Sequence, residues 1–403
     1  MNIINKKINN SIKSFQLLYR TIKFLRLFIS KVIAFFESKI IYTRLKNNIG
    51  EKNVVFIEPN VTHAEILPGF AHYFLLLGYN VHVIMRRKCA NEDPFVNMDA
   101  ENLHIYKSSY QATHLLYRCI ENGFDLIVLM SSLVYAAPPY DFLQNHKYLY
   151  KTKLGTIAVL HNINEFTSVS MKILIQQSRI ITLQPFSNFR NGYSVAPIYF
   201  TNVETHKKNS TTQFVVIGNF EESRRDYELL FEHIDMLLAM EIKNFSVTLI
   251  GEASNFKKLK KIYRFLHILG RLNFKDMYDQ LKNSDFIIPL LNSNNQLHLK
   301  YGLIKTSGSR QLSLGFLTPC IIEKHFADCF GFTTSSAIVY EKPEFLNSLH
   351  KAIVMSSKEY NYYIENLKLQ SEKIHNESLQ NIKKLLKGLE DGFTREMSGR
   401  EHC

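Results

Sequence analysis

The chain has 403 residues, which is long enough for two domains, because a single hydrophobic core stops growing at roughly 250–300 residues. Its 46% hydrophobic and 21% charged residues are typical of folded globular domains, and its net charge of +13 predicts an anionic partner: a membrane surface, nucleic acid or a phosphorylated ligand. The five cysteines are odd in number and lack a CxxC spacing, which argues against a disulfide framework or a zinc site. No apolar run reaches the ~18 residues that span a bilayer, so we expect a cytoplasmic protein.

Residues 1–50 form a basic leader without Pro and without Gly before Gly50. At 100° per residue its polar and apolar side chains separate onto two faces, with Leu27 as the exception. The polar face holds Lys13, Gln16, Arg20, Lys23, Ser30, Lys31 and Ser38, and the apolar face holds Leu17, Leu18, Leu25, Phe28, Ile29, Val32, Phe35 and Phe36. A helix of this kind can lie among the headgroups of an anionic membrane, so residues 12–46 are predicted to bind a membrane surface. The alternative is a helix that packs on its own protein or mediates oligomerisation.

Residues 51–200 alternate short apolar strands with helical stretches, beginning with a helix predicted at 64–77. The predicted strands are Val54 to Ile57, Val81 to Met85, Leu126 to Met130, Ile157 to Leu160 and Ile180 to Leu183. Continuous apolar strands separated by helices indicate a parallel sheet covered on both faces. We therefore predict a doubly wound, Rossmann-like N-terminal domain.

A polar linker is predicted at 201–212, and a second alternating domain at 213–345. Its strands are predicted at Phe214 to Ile217, Ser246 to Ile250, His267 to Leu272, Phe286 to Leu290 and Ile338 to Tyr340. Helices are predicted at Asp226 to Met240, Asn255 to Leu266 and Lys275 to Asn283, followed by a charged helical tail over 346–403. In such sheets ligands bind beyond the carboxyl ends of the strands, so the cleft between the two domains is the expected site.

The stretch from Lys305 to Ile322, KTSGSRQLSLGFLTPCII, predicts a turn, a helix and a strand. A Gly-containing turn that opens a helix leaves backbone N–H groups unpaired beside the positive end of the helix dipole, which suits a phosphate. The residues predicted to contribute here are Lys305, Thr306, Ser307, Gly308 and Ser309. The alternative is an ordinary turn in which a serine caps a buried helix.

An ordered set of short motifs runs through the second half of the chain. It comprises Val216-Ile217-Gly218-Asn219-Phe220, Thr248-Leu249-Ile250-Gly251, Gly270, Asp285 to Pro289, Gly308 and Thr318-Pro319. Over residues 213–342 this set resembles the nucleotide-sugar domain of GT-B glycosyltransferases. The N-terminal half resembles their acceptor domain through Glu58-Pro59-Asn60 and Thr62-His63-Ala64-Glu65, and the whole is similar to bacterial enzymes that assemble lipopolysaccharide or capsule.

The resemblance implies a fold of two facing Rossmann-like domains and transfer of a sugar from a nucleotide diphosphate donor to a glycan or lipid-linked acceptor. Many retaining members carry two glutamates separated by seven residues, and this chain has Lys305 or its neighbour and Leu312 at those places. The departure favours an inverting mechanism. An inverting transfer needs a base for the acceptor hydroxyl and positive charge for the leaving diphosphate.

Glu65 and His63 follow the first strand and are the predicted catalytic residues. Thr62 and Glu65 also match the T-x-x-E capping box, so a purely structural role for Glu65 stays open. His161 and Asn162 end another strand and are predicted to bind the acceptor, although they could bind the donor or simply close the strand.

Donor binding is predicted for Gly218, Asn219, Arg224 and Arg225 together with the 305–309 turn, because arginine offers a fork of donors for phosphate oxygens. A solvated charge cluster is the alternative for the two arginines. The sequence has no Asp-x-Asp pair and no metal-ligand spacing, so we expect a metal-independent reaction with no cofactor besides the donor substrate. The absence of GxGxxG argues against a nicotinamide enzyme.

Two other functions fit parts of these patterns. A sugar-nucleotide epimerase also uses two facing Rossmann-like domains, but it needs neither an acceptor nor a basic leader. A nucleic-acid-binding protein would place basic and aromatic residues on one exposed face, whereas here they concentrate in the leader. We therefore expect no nucleic acid partner, and a peripheral location at the inner face of the cytoplasmic membrane.

Overall fold

The computed structural model describes residues 2–61, 63–121, 123–131, 146–164, 168–200, 208–221, 223–252 and 265–400. Most of the helix predicted at 255–266 lies outside these ranges, as do residues 132–145 and residues 201–207 of the predicted linker.

The N-terminal domain is built on one sheet of seven parallel strands in the order β3-β2-β1-β4-β5-β6-β7. The strands are β1 (Asn53–Glu58), β2 (Asn80–Arg86), β3 (Leu103–Ser108), β4 (Leu126–Leu129), β5 (Thr156–Leu160), β6 (Ile180–Thr182) and β7 (Tyr193–Ser194). The strand order reverses between β1 and β4, and such a switch point opens a crevice at the carboxyl ends of the two strands. Glu58 ends β1 at this point, and Met130 and Ser131 follow β4.

Helices cover both faces of this sheet. A short 3-10 turn, Ala64–Ile66, leads into α2 (Leu67–Leu76), so the helix predicted at 64–77 is present in two parts because Pro68 occupies the start of the second. The other helices of the domain are α3 (Arg87–Asn91), α4 (Tyr110–Cys119) and α5 (Val169–Gln176), with a 3-10 turn at His146–Tyr150. The basic leader forms the first helix of the chain, α1 (Asn2–Asn47).

The described side chains of α1, from Tyr19 onward, pack on the domain along one stripe. The buried ones are Ala34, Ser38, Ile41 and Leu45, which repeat every three or four positions. This stripe faces α4 and the core beneath it. The outward side chains from Tyr19 to Ile40 remain exposed. No helix in the described part of the chain is both long enough and apolar enough to cross a membrane.

The second domain repeats the parallel arrangement, with a four-stranded sheet in the order β10-β9-β8-β11. Its strands are β8 (Thr212–Ile217), β9 (Phe245–Ile250), β10 (Leu266–Gly270) and β11 (Phe286–Ile287). A bridge from Ile287 to Cys320 continues this sheet towards a parallel pair of strands, β12 (Ile321–Glu323) and β13 (Ile338–Tyr340). The predicted strand Phe286 to Leu290 ends early, because Pro289 has no N–H and Leu290 adopts a positive φ of 50°. The described helices are α6 (Tyr227–Ala239), α7 (Phe274–Lys282), α8 (Gln296–Leu303), α9 (Gly308–Phe316) and α10 (Lys324–Phe330).

The helical tail predicted over 346–403 contains α11 (Phe345–Val354) and α12 (Ser357–Arg400). Helix α12 begins in the core of the second domain, where Tyr360 is fully buried. It then crosses to the first domain, where Ile382 and Leu385 join the core. Ser378 Oγ accepts a hydrogen bond from the Ala196 N–H at 3.0 Å on the way. The tail therefore holds the two domains together.

The chain itself passes between the domains through residues 195–200, which lie between α2 and α9. Two glycines permit this close approach: a Cβ on Gly69 would lie 2.5 Å from the Pro197 carbonyl carbon, and one on Gly315 would lie 2.4 Å from the Ile198 oxygen. The Tyr73 hydroxyl donates to the Ala196 oxygen at 2.8 Å. The crossing segment is thus packed against both domains.

Candidate functional site

Three predicted residues meet at the carboxyl edge of the first sheet. His63 Nδ1 lies 3.5 Å from Glu65 Oε1, and the rings of His63 and His161 are 4.3 Å apart between centroids. His161 Nε2 lies 2.9 Å from the Met130 carbonyl oxygen, which can only accept, so this nitrogen carries the proton. The two loops predicted to act separately, after β1 and after β5, form one cluster.

The backbone of His63 is in the left-handed region, at φ 72° and ψ 15°. A residue other than glycine rarely adopts this conformation, and functional sites are where it is tolerated. His63 is the N-cap of the 3-10 turn without a side-chain capping bond, and Thr62, its partner in the capping-box alternative, lies outside the described residues. The conformation turns the imidazole towards Glu65 and His161.

The surroundings set the charge of this cluster. Burial alone would raise the pKa of Glu65, but the contact with His63 and the nearby imidazoles hold it below the ordinary value, so Glu65 is ionised at neutral pH. Burial, with the neighbouring His63 adding to it, lowers the pKa of His161 to about 3, so this ring is neutral. The cluster therefore presents one carboxylate beside a partly exposed imidazole, an arrangement that can accept a proton.

Glu58 belongs to the same edge and was not singled out from the sequence as a site residue. Its carboxylate is fully buried, with Oε2 accepting from the Ser131 hydroxyl at 2.7 Å and Oε1 from the Asn60 N–H at 2.8 Å. Burial raises its pKa to about 7, and the bond from Ser131 opposes the shift. The sequence signal that could have identified Glu58 is its position at the end of an apolar strand, because a sheet that buries such a strand also buries its last side chain.

The second domain meets this edge directly. The Ile163 N–H donates to the Ile304 oxygen at 2.9 Å, and Asn162 and Lys305 form an isolated antiparallel bridge. The Asn162 side chain closes its own turn, accepting from the Asn164 N–H at 3.0 Å. The predicted acceptor loop and the predicted donor turn thus lie against each other, although their residues are separated by more than 100 positions in the sequence.

The start of α9 holds a group of buried polar atoms that have no hydrogen-bond partner among the described residues. They are the hydroxyls of Thr306, Ser307 and Ser309, Nη1 of Arg310 and both amide atoms of Gln311. Ser307 is the N-cap of α9 but makes no side-chain capping bond, and Gly308 is the first helical residue. The capping alternative therefore does not account for Ser307. Unpaired donors at a helix N-terminus are suited to an anion.

Two cations lie beside this helix start, both on one aromatic ring. Lys305 Nζ is 4.2 Å from the centroid of Tyr301, and the guanidinium carbon of Arg225 is 5.9 Å from it. Arg225 is buried and donates to the oxygens of Arg224 and Ile217 at 2.8 and 3.1 Å. Its Nε bonds to none of the residues that the structure describes. Tyr301 was not predicted as a site residue, and its ring contacts both cations.

The remaining predicted donor residues divide into two groups. Gly218, at φ 139°, packs against the Arg225 guanidinium, which a Cβ would approach to 3.1 Å. Asn219 follows it, and its carbonyl oxygen accepts from the Glu221 N–H at 2.9 Å. Arg224 lies apart: its Nε contacts Glu221 Oε2 at 3.1 Å and its side chain is half exposed, which is the solvated pairing given as the alternative.

No family model and no curated protein matches the chain. Solved structures match most of it. A glycosyltransferase from Rickettsia africae ESF-5 is 10% identical, with a TM-score of 0.56 over 84% of this chain and 99% of that one. An alpha-glucosyltransferase in complex with UDP and a 13-mer DNA containing a HMU base is 11% identical, with a TM-score of 0.55 over 84% and 99%. An alpha-glucosyltransferase in complex with UDP-glucose and DNA containing an abasic site is 12% identical, with a TM-score of 0.55 over 80% of this chain and 99% of that one. The chain has the GT-B fold, as predicted.

Proposed function

We propose that this protein is a metal-independent, inverting glycosyltransferase that moves a sugar from a nucleotide diphosphate donor to a cell-surface glycan or a lipid-linked precursor. The observation that carries the proposal is a contact between the two domains. The turn that opens α9, with its buried polar atoms and two cations, lies against the loop of His161, and the His161 ring contacts the imidazole of the His63–Glu65 pair. The similarity of fold to structures solved with UDP and UDP-glucose supports the same donor class.

The diphosphate of the donor would bind at the N-terminus of α9. Its oxygens would accept from the backbone N–H groups and from the hydroxyls of Ser307 and Ser309, while Lys305 and Arg225 balance the charge. These two cations supply what a metal ion provides in other phosphate sites, which supports a reaction without metal. Because the hydroxyls are buried, the donor reaches them when the domains part, and hinge motion is the ordinary behaviour of two-domain enzymes.

The reaction would be a single displacement. The acceptor hydroxyl oxygen forms a bond to the anomeric carbon, the bond from that carbon to the diphosphate oxygen breaks, and its electron pair leaves with the diphosphate. The hydroxyl proton passes to His63, and ionised Glu65 orients the ring and stabilises the imidazolium. Leu312, where retaining relatives carry a glutamate, is buried and apolar, which supports inversion.

The location that fits this function is the inner face of the cytoplasmic membrane, with residues 12–46 as the peripheral contact. Lipid-linked precursors are presented on that surface, and α1 exposes apolar and basic side chains that suit it. Nucleic acid is not the acceptor in this proposal, because the basic residues of α1 alternate with apolar side chains suited to lipid.

The first experiment is thermal stabilisation of the purified protein by a panel of nucleotide diphosphates and nucleotide sugars, starting with UDP. A ligand present at ~100 times its dissociation constant stabilises a folded protein by about 2.7 kcal/mol. The shift should appear with one nucleotide family and disappear in Lys305→Ala, whereas Lys275→Ala, an exposed lysine of the same domain, should keep it. No shift with any member of the panel would contradict the donor-site assignment.

The donor identified in this way then distinguishes transferase from epimerase. A transferase releases nucleotide diphosphate at a rate that depends on an added acceptor, while an epimerase converts the sugar without one. Conversion in the absence of any acceptor, with no release of nucleotide diphosphate, would establish the epimerase instead.

A further inference from the structure

Helix α1 extends beyond the edge of the sheet that carries the site. Glu37 Oε1 accepts from the Ser109 N–H at 2.9 Å and from Arg87 at 2.7 Å, and both partners follow the carboxyl ends of strands. Ser30 donates to Gln111, in the first turn of α4, at 2.5 Å. Helix α1 leads from Glu37 at this carboxyl edge towards Asn48, whose carbonyl oxygen accepts from the side chain of Asn80 at the start of β2. The residues before Ser30 therefore continue past the carboxyl edge, and at 1.5 Å per residue they reach roughly 40 Å beyond it.

The part of α1 before Ser30 is called the overhang. Its described side chains, and those on the outward face of the rest of α1, are apolar to an extent that soluble monomers seldom show. The exposed ones are Tyr19, Ile22, Phe24, Leu25, Leu27, Phe28, Ile29, Val32, Ile33, Phe35, Phe36 and Ile40. Leu25, Ile29, Val32 and Phe36 form the line opposite the buried stripe. Contiguous apolar surface of this size marks a docking face.

The charges of α1 identify what docks there. Residues 1–50 contain ten lysines and arginines and a single acidic residue, Glu37. The Glu37 side chain is only 10% exposed and faces the domain, paired with Arg87. The described outward surface, from Tyr19 onward, thus combines apolar groups with positive charge and no acidic group, which matches an anionic bilayer. A second copy of the same helix would bring like charges together.

We propose that the overhang and outward face of α1 lie on the surface of an anionic bilayer, which then extends past the carboxyl edge holding His63 and Glu65. The cleft opens beside the headgroups, so the acceptor is lipid-linked and enters from the membrane. This inference rests on the proposed transferase function for the identity of the acceptor, but the docking of α1 can be measured without any donor.

The test is sedimentation of the full-length protein with phosphatidylcholine vesicles and with vesicles that contain 30% phosphatidylglycerol. Wild type should bind the anionic vesicles preferentially, and binding should weaken as salt is raised. Neutralising three basic residues, in Lys23→Gln/Arg26→Gln/Lys31→Gln, should weaken binding about 100-fold, at roughly 1 kcal/mol per charge. The matched triple Lys383→Gln/Lys384→Gln/Lys387→Gln on exposed positions of α12 should bind as wild type.

The apolar contact is tested separately. Phe28→Ser/Phe36→Ser should weaken vesicle binding at least tenfold, because it removes two apolar rings from the docking face. Both residues are more than half exposed, so their replacement should leave the fold intact. The chain contains no tryptophan, so a single Phe28→Trp gives a clean fluorescence signal that brominated lipids should quench. Leu369→Trp, on an exposed site of α12, should not be quenched.

Several outcomes would overturn the inference. Equal binding by all variants, or no vesicle binding, would contradict it, and a dimer that disappears in Phe28→Ser/Phe36→Ser would assign the face to a second copy. Lys305→Ala should bind vesicles as wild type does. Vesicle binding without any nucleotide binding would leave the docking of α1 intact and reject the transferase, so the two failures are distinguishable.

Discussion

Replacing Ser309 by alanine should have opposite effects on stability and on ligand binding. The Ser309 hydroxyl is buried in the first turn of α9 and has no hydrogen-bond partner in the described part of the chain. A buried hydroxyl left unpaired costs about 1–3 kcal/mol. Removing it should therefore raise the free energy of unfolding by up to about 2 kcal/mol, and alanine is also the better helix former.

Binding should change in the other direction. In the proposed site this hydroxyl donates to a phosphate oxygen, and a hydrogen bond to a charged group contributes about 1.5–3 kcal/mol. We expect Ser309→Ala to bind the nucleotide diphosphate roughly 10- to 100-fold more weakly. Isothermal titration would give the affinity, and a thermal melt without ligand would give the stability.

Ser313, one turn later in the same helix, provides the control. Its hydroxyl is also buried but donates to the Thr318 oxygen at 2.7 Å, so its donor is already used within the protein. Ser313→Ala should lose about 1 kcal/mol of stability and keep wild-type affinity. Wild-type nucleotide affinity in Ser309→Ala, or a loss of stability matching that of Ser313→Ala, would refute the assignment of the α9 start as an anion site.

Three further predictions follow from the geometry. Glu65→Gln should lower kcat by about 10²- to 10⁴-fold with unchanged donor affinity, because the carboxylate orients the base, and equal losses in kcat and donor binding would contradict that role. Burial raises the pKa of Glu58 to about 7 in the folded protein, so the folded state keeps a proton that the unfolded state loses, and stability falls as pH rises from about 4.5 to 7. Glu58→Gln should remove up to about 3 kcal/mol of this fall. A profile of melting temperature against pH that is the same in the variant and the wild type would contradict the raised pKa of Glu58. Gly315→Ala should destabilise the protein by about 1–3 kcal/mol, because the added Cβ would meet the Ile198 oxygen and the Phe200 ring. Gly388→Ala in α12 is the control, because a Cβ there meets open space and should not destabilise. Equal melting temperatures of the two variants would argue against a tightly packed crossing segment.

The sequence predicted the strands that are buried on both faces, because such strands leave continuous apolar runs. β1, β2, β5 and β9 lie within one residue or two of their predicted limits. β3 was missed because Leu103–Ser108 lies at the edge of the sheet and lacks the continuous apolar run of the buried strands; Ile105 is 40% exposed. α8 was missed for a different reason: eight residues with an internal Gly302 in the left-handed region give little periodicity.

The candidate site was predictable as a set of strand-end loops, because the carboxyl ends of parallel strands must share an edge. The same rule could not say which side chains are buried there. Glu58 and Arg225 acquire their importance from burial, and the unpaired hydroxyls of Ser307 and Ser309 are visible only once every neighbour is in place. Arg224 and Arg225 are adjacent and chemically identical, yet one is solvated and the other is buried against Tyr301.

The sequence alone determined the two doubly wound domains, the basic helical leader and the turn before α9, because these depend on local periodicity and composition. The tertiary structure decided that α12 joins both domains, that the His161–Asn162 loop meets Lys305, and that α1 docks by one stripe while its other face stays exposed. Each of these features depends on contacts between residues far apart in the chain, whose burial and pairing no local pattern encodes.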